Sequence, residues 1–365
     1  MTSYDEWLRA AAEGRDRDGL TRRLRPRTQD HYAIDVSGND YLGLARDPRV
    51  VEAAVDAART WGAGSTGSRL VSGSTELHAA FETELAAFVG AEAGLVFSSG
   101  YCANLAVLHA LSDADTLVVS DGGNHASLID GCRLSRGAVT VVPHADLDAV
   151  ERALAERSQS RALVVTDSVF SVDGDRAPIA ELHAIARRYD ALLVVDEAHA
   201  LGVVDVIDEP GIVHTVTLSK SLGSQGGAVL ASRAVVDHLV NTGRTFIFDT
   251  GLAPACVGAA RESLRILEEG PDLTDWVRRN ARHLAAELGV PPPEAAIVSV
   301  VLGDPKRAFA AAEQCRENGV AVGCFRPPSV PAGTSRLRIA ARANLTDAEL
   351  ATVVETVATA IKDSA

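Results

Sequence analysis

Five short apolar runs constrain this chain more than any other feature: 94–97, 116–119, 138–142, 162–165 and 191–195, mostly β-branched and four or five residues long. Each is closed by polar or glycine residues, and most lead into a stretch of helical periodicity. Runs that do not alternate predict strands covered on both faces, as a parallel sheet requires. The strand–helix repeat predicts an α/β fold, with ligands at the carboxyl ends of the strands. Helices are predicted at Pro48–Trp61, which opens on a first-turn proline, at Leu77–Val89, which stops at Gly90, and at Pro254–Glu269. A chain of 365 residues exceeds the size at which one core stops growing, about 250–300 residues. The reading is therefore a large domain over 46–265. Segments 1–45 and 266–365 together form a smaller α+β domain. Within 1–30 we expect one amphipathic helix and then a turn carrying Arg22, Arg23, Arg25 and Arg27, before a short polar strand.

Charge narrows the partners. A net charge of −14 argues against nucleic acid, because phosphate binding needs clustered positive charge. Any anionic ligand must be held by local amides and a few Arg. The five Cys are odd in number and show no C-x-x-C, which fits a reduced intracellular protein without a zinc site. The charged N-terminus lacks a signal-peptide core, and no run of 18 apolar residues occurs, so no membrane association and a cytoplasmic location are expected.

Three motifs mislead. Gly62 to Gly67 matches G-x-G-x-x-G, but a helix precedes it where a dinucleotide site needs a strand. It reads better as a tight loop near an active site. Val195-Asp196-Glu197-Ala198-His199 looks like a helicase strand end, but the chain has no phosphate loop with its Lys. The Ser-Gly pairs do not make a G-x-S-x-G elbow, which argues against a serine hydrolase.

Only three Lys occur against 32 Arg, and one of them, Lys220, sits just past a β-rich run among small uncharged residues. Partial desolvation there lowers a Lys pKa and makes it an imine-forming nucleophile. Asp196 ends an apolar run, and a buried carboxylate needs a partner. A pyridinium nitrogen is such a partner. His199 and His125 follow strand ends, and each taken alone reads equally well as a structural His.

The resemblance becomes specific in the segments SGNDYLGL (37–44), FSSGYCAN (97–104), NHASL (124–128), TDSVFSVDGD (166–175), VVDEAHALG (194–202), TLSKSLGSQGG (217–227) and RPPSVPAGTSRLRI (326–339). Together they resemble the α-oxoamine synthase family of pyridoxal 5′-phosphate (PLP) enzymes. That resemblance implies an aminotransferase-like, fold type I large domain and a homodimer with its active site at the subunit interface. It makes Lys220 the Schiff-base lysine and the base for the Cα proton, Asp196 the partner of the ring nitrogen, and His125 the residue stacked on the ring. His199 and Ser171 go to the ring's 3′-oxygen, and Thr217, Gly100 and Tyr101 to the phosphate. Thr250 reaches the phosphate from the partner subunit. Asn39 and Arg338 surround the amino-acid carboxylate, Ser329 contacts substrate, and Arg22 (or its neighbour Arg23) takes the acyl chain. No metal is implied. Two positions depart from the family pattern: Asn124 stands for a Ser and Ser219 for a Gly. Val71-Ser72-Gly73 and RPPSVPAGT lean toward the biotin-pathway reaction, which joins L-alanine to pimeloyl-CoA or pimeloyl-acyl carrier protein. The alternatives are the family's glycine- and serine-using members, which make 5-aminolevulinate, 2-amino-3-ketobutyrate or sphingolipid precursors.

Overall fold

The computed structural model describes residues 2–27, 34–207, 209–270 and 272–364. Its strands are β1 (Ile34–Val36), β2 (Ala93–Phe97), β3 (Thr116–Asp121), β4 (Ala138–Val142), β5 (Arg161–Asp167), β6 (Leu192–Asp196), β7 (Ile212–Thr217), β8 (Gly227–Ala231), β9 (Ile297–Gly303), β10 (Val320–Phe325) and β11 (Ser335–Ala340). The chain divides into two compact units. One comprises Met1–Asn39, Val172–Gly174 and Arg278–Ala365, and the other Asp40–Ser171 and Asp175–Val277.

The larger unit is built on a seven-stranded sheet in the order β2-β8-β7-β6-β5-β3-β4. Strands β3 to β7 run parallel, and β8 is antiparallel to both its neighbours. Neighbouring residues pack on opposite faces: Val165 and Val194 join the layer of Leu108 and Leu128, while Val164 and Val195 join that of Leu154 and Leu182. This double burial is why the runs do not alternate, and each buried Val or Leu contributes about 1.5–3 kcal/mol. Strand β4 breaks the expectation. It is an edge strand with one neighbour, and Val139 and Val141 are 42% and 67% exposed. The helices Pro48–Trp61 and Pro254–Glu269 have the predicted bounds, and the third runs Glu76–Val89. Its start is capped by Thr75, which accepts from the His78 N–H, and it ends on Gly90 in the left-handed region.

Register places the chemistry. Asp167 stands beside Asp196 across β5 and β6, and Asp196 beside Thr215 across β6 and β7. Three polar residues thus share one row at the carboxyl ends of parallel strands.

The smaller unit has a four-stranded sheet, β1-β10-β11-β9, with β1 parallel to β10 and the other pairs antiparallel. Its first helix, Ser3–Arg17, starts with a capping box between Thr2 and Asp5, buries no residue, and leaves Tyr4, Trp7 and Leu8 exposed. Residues 18–27 carry no helix, and residues 28–30 of the expected segment lie outside the described ones. Among the described residues no helix is long and apolar enough to cross a membrane.

Candidate active site

Lys220 lies three residues past β7, half-buried. Its Nζ is 2.8 Å from His199 Nε2, and His199 Nδ1 is 2.6 Å from the hydroxyl of the fully buried Tyr41. Asp196, the last residue of β6, is buried, and accepts from the Ala198 N–H at 2.9 Å and from Asn104 Nδ2 at 2.7 Å. Even with two donors, a buried carboxylate favours a cation beside it.

His125 caps the helix Ala126–Leu134 and donates its own backbone N–H to Asp167 Oδ2 at 2.7 Å. The residue is exposed. Desolvation pushes its pKa below the usual 6.5; the nearby Asp196 pulls it up and Lys220 pulls it down. An open face on a neutral ring is what a stacking partner needs. Asp167 is enclosed, and burial followed by repulsion from Asp196 holds its carboxyl well above the usual 3.8.

At another edge of this group the helix Gly100–Ala110 begins. Ser99 caps it, accepting from the Cys102 N–H at 3.1 Å, and the amides of Gly100 and Tyr101 fall in its first turn. A side chain at Gly100 would bring its Cβ within 3.2 Å of Thr217 Cβ, so glycine lets the helix end close on that threonine. Thr217 Oγ1 in turn is 2.7 Å from Ser219 Oγ. The Tyr101 hydroxyl donates to Asp130 at 2.6 Å, which leaves the backbone of Tyr101 as its contribution here. Ser171 is half-buried, four residues past β5.

These donors fit PLP group by group. The buried Asp196 matches a pyridinium, the helix start with Thr217 matches a phosphate, the Lys220 amine matches the aldehyde carbon, and His125 offers a ring face. Among the described residues no cluster of three or more His, Cys, Asp or Glu is placed to hold a metal.

In the smaller unit, Arg338 of β11 is 2% exposed, donates to Asn39 Oδ1 at 2.9 Å, and lies 5.5 Å from the centre of the Phe325 ring. The pairing of Asn39 with Arg338 thus appears within one unit. Arg22, Arg23, Ser329 and, in the larger unit, Thr250 are exposed side chains. Both departures from the family pattern have work. Asn124 Nδ2 donates to Ser120 Oγ and to the Val165 carbonyl, and its Oδ1 accepts from the Asp167 N–H, tying β3 to β5. Ser219 closes on Thr217, as above. Sequence reasoning gave no role to Tyr41, Asn104, Ser127 or Asp167, although all four lie in the motifs quoted for the resemblance. For Asn104 and Asp167 the available signal was a polar residue within or ending an apolar segment.

Comparison with known proteins decides the family. The model for class I and II aminotransferases matches residues 33–357. The 8-amino-7-oxononanoate synthase of Mycolicibacterium smegmatis is 57% identical over 357 residues, covering 94% of each chain. The chain belongs to the 8-amino-7-oxononanoate synthase family. Like other members of the wider aminotransferase class, this synthase-family chain is a PLP-dependent transferase. A solved structure of SPT (serine palmitoyltransferase) with PLP superposes with a TM-score of 0.92 at 29% identity, over 99% of this chain and 98% of that one. The 8-amino-7-oxononanoate synthase of Francisella tularensis gives 0.75 at 26% identity, over 92% and 99%. Backbone likeness is therefore higher to a serine-named enzyme, while identity is far higher to the mycobacterial synthase. Fold is shared across activities, so the identity carries the assignment.

Proposed function

We propose that this chain condenses L-alanine with a pimeloyl thioester, carried on CoA or on acyl carrier protein, to give 8-amino-7-oxononanoate, CO2 and the free thiol carrier in biotin biosynthesis. The observation that carries this reading is the 57% identity over 94% of both chains to the mycobacterial synthase. The convergence of Lys220, His199, Asp196 and His125 in one unit supports the chemistry.

When bound, PLP supplies the electron sink for the pair left at the amino-acid Cα. Lys220 would hold the cofactor through its amine, and the same amine is placed to take the Cα proton as base. His199 beside it, backed by Tyr41, steadies the Lys220 amine, and with Ser171 it would contact the 3′-oxygen. Asp196 would pair with the ring nitrogen and favour its protonated form. His125 would lie on the ring face and offer a hydrogen bond to the acyl oxygen. Thr217 and the amides of Gly100 and Tyr101 hold the phosphate, joined by Thr250 of a second copy in a homodimer. Arg338 and Asn39 take the amino-acid carboxylate, Ser329 contacts the substrate, and Arg22 or Arg23 binds the terminal carboxylate of the acyl chain.

Thiol release from pimeloyl-CoA with L-alanine, glycine or L-serine tests the reading. L-Alanine should give the highest kcat/KM, with glycine a poor substrate, since one methyl in a pocket is worth about 1–3 kcal/mol. Faster turnover with L-serine, or with glycine and acetyl-CoA, sinks the substrate assignment and leaves the PLP chemistry standing.

A further inference from the structure

A chain of hydrogen bonds runs behind the Lys220 group, and the reaction as written above makes no use of it. Thr215 Oγ1 lies 2.6 Å from Asn104 Oδ1; Asn104 Nδ2 lies 2.7 Å from Asp196 Oδ2 and 2.8 Å from Ser127 Oγ. Ser127 Oγ lies 2.8 Å from His125 Nδ1. Thr215, Asn104 and Ser127 are each 1% exposed, so water does not compete for the bonds among these three.

The direction of every proton follows from chemistry. Asn104 turns its NH2 toward Asp196, whose Oδ2 accepts from Nδ2. Asn104 Oδ1 then faces Thr215, whose hydroxyl donates. The second N–H of Asn104 goes to Ser127 Oγ, which leaves the Ser127 hydroxyl proton to point at His125 Nδ1. The reverse arrangement, with a proton on Nδ1, conflicts with a further contact: the backbone N–H of Ser127 also donates to Nδ1, at 3.3 Å. A protonated Nδ1 has no lone pair to receive it. Nδ1 is therefore the acceptor, and the neutral ring carries its proton on Nε2.

We propose that Asn104 and Ser127 are positioning residues that lock His125 as the neutral Nε2–H tautomer, Asn104 at the same time fixing the Asp196 carboxylate. One amide thereby sets the identity of the donor that His125 offers and the orientation of the anion under the ring nitrogen. An Nε2–H selects an oxygen acceptor on the substrate, where the other tautomer would present a lone pair and repel it. Only this use of the donor rests on the proposed condensation; the tautomer itself does not. The charged groups that face His125 are Asp196 at the end of β6, Lys220 beyond β7, and Asp130 on its own helix, with Asp167 of β5 on its backbone. Two hydrogen bonds donated to Nδ1 favour the neutral ring, so removing one raises the His125 pKa.

Long-range proton–nitrogen NMR on the full-length chain with 15N-labelled histidine, before and after PLP loading, reads this directly, with His125→Gln assigning the signal. The expected result near neutral pH is a pyridine-like Nδ1 and a protonated Nε2. Ser127→Ala should raise the His125 pKa, lower the Nε2–H population and cut kcat about tenfold with little change in KM for L-alanine, the size of one lost hydrogen bond. Asn104→Ala should move His125 in the same direction and also weaken PLP retention. The double variant should shift the His125 pKa by less than the two single shifts added, because both act through one chain. A protonated Nδ1 in the wild type overturns the proposal, as does a His125 signal unmoved by Ser127→Ala. Ser127→Ala loses one hydroxyl, and so decides the matter even if Asn104→Ala fails to fold. The expected tautomer in a chain that lacks the proposed turnover would sink the function and leave this inference intact.

Discussion

The seven-stranded and the four-stranded sheets both bury charged side chains, and they satisfy them by different means. At the carboxyl ends of β5 to β7, Asp196 is one node of a network that includes Asn104, Ser127, Thr215 and the Ala198 amide. On β11 the guanidinium of Arg338 is buried against the Phe325 ring and donates to Asn39, two positions from a second buried guanidinium, Arg336, which pairs with Asp173. The first arrangement is acceptor-rich and held from several elements, which suits a cationic ring that must stay in place. The second is donor-rich and delocalised, which suits a small anion that arrives and leaves. Geometry that must not move is over-determined by buried hydrogen bonds, whereas a gripping group needs one planar fork.

The comparison breaks first at Lys220. Lys220→Ala should lose about 10⁴-fold or more in kcat, because one amine serves as anchor and base, with the circular dichroism of the fold retained. A variant that still formed a borohydride-reducible PLP adduct would put the anchor elsewhere. Next comes Asp196→Asn, expected to retain PLP and to slow α-proton exchange of L-alanine by about 10²–10³-fold, as loss of one preorganised charge in a desolvated site does. Near-normal exchange would remove Asp196 from its role. On the other sheet, Arg338→Lys keeps the charge and loses the fork. KM for L-alanine should rise about 10–100-fold, the value of a charge-assisted hydrogen bond, with PLP binding unchanged. A fall in PLP affinity instead would mean that the two sheets do not divide the labour.

Smaller effects sharpen the picture. Arg22→Ala or Arg23→Ala, whichever contacts the acyl carboxylate, should raise KM for pimeloyl-CoA about 3- to 10-fold, since an exposed ion pair is worth little. L-Alanine binding should not change; if both variants leave pimeloyl-CoA kinetics untouched, the acyl carboxylate is held elsewhere. His144 supplies the smallest effect. Burial lowers its pKa, but hydrogen bonds to Asp121 and Asp175, at 3.0 and 2.7 Å, outweigh it and raise the pKa above 6.5. A raised folded pKa contributes stability that is full below about pH 6.5 and lost as pH rises through the folded value. His144→Gln should therefore flatten the fall of Tm between about pH 6 and 8, and an unchanged slope would show that the two carboxylates do not hold the charged ring.

Much of the fold was legible because the helix and strand signals are local. Pro48 and Pro254 open their helices, Gly90 closes another, and the buried runs cannot serve as amphipathic strands. Strand β4 was misread because an apolar run does not say whether it will have one neighbour or two. Of the site, the motif residues were legible through resemblance, but their mutual contacts were not. Asn104 and Asp196 are 92 positions apart, and no periodicity joins them.

By itself the sequence determined the parallel α/β class, the family, and the residue types available for chemistry: a scarce Lys220, a strand-ending Asp196, and His125 and His199 in their motifs. Those follow from side-chain identity and near-neighbour spacing, which the chain carries unfolded. Only the tertiary structure decided that Asp167 lies beside Asp196 with its carboxyl pKa raised, that Tyr41 backs His199, and that Asn104 and Ser127 bridge Asp196 to His125. Protonation and tautomer depend on burial and on partners brought from distant segments, and those terms do not exist until the strands are in register.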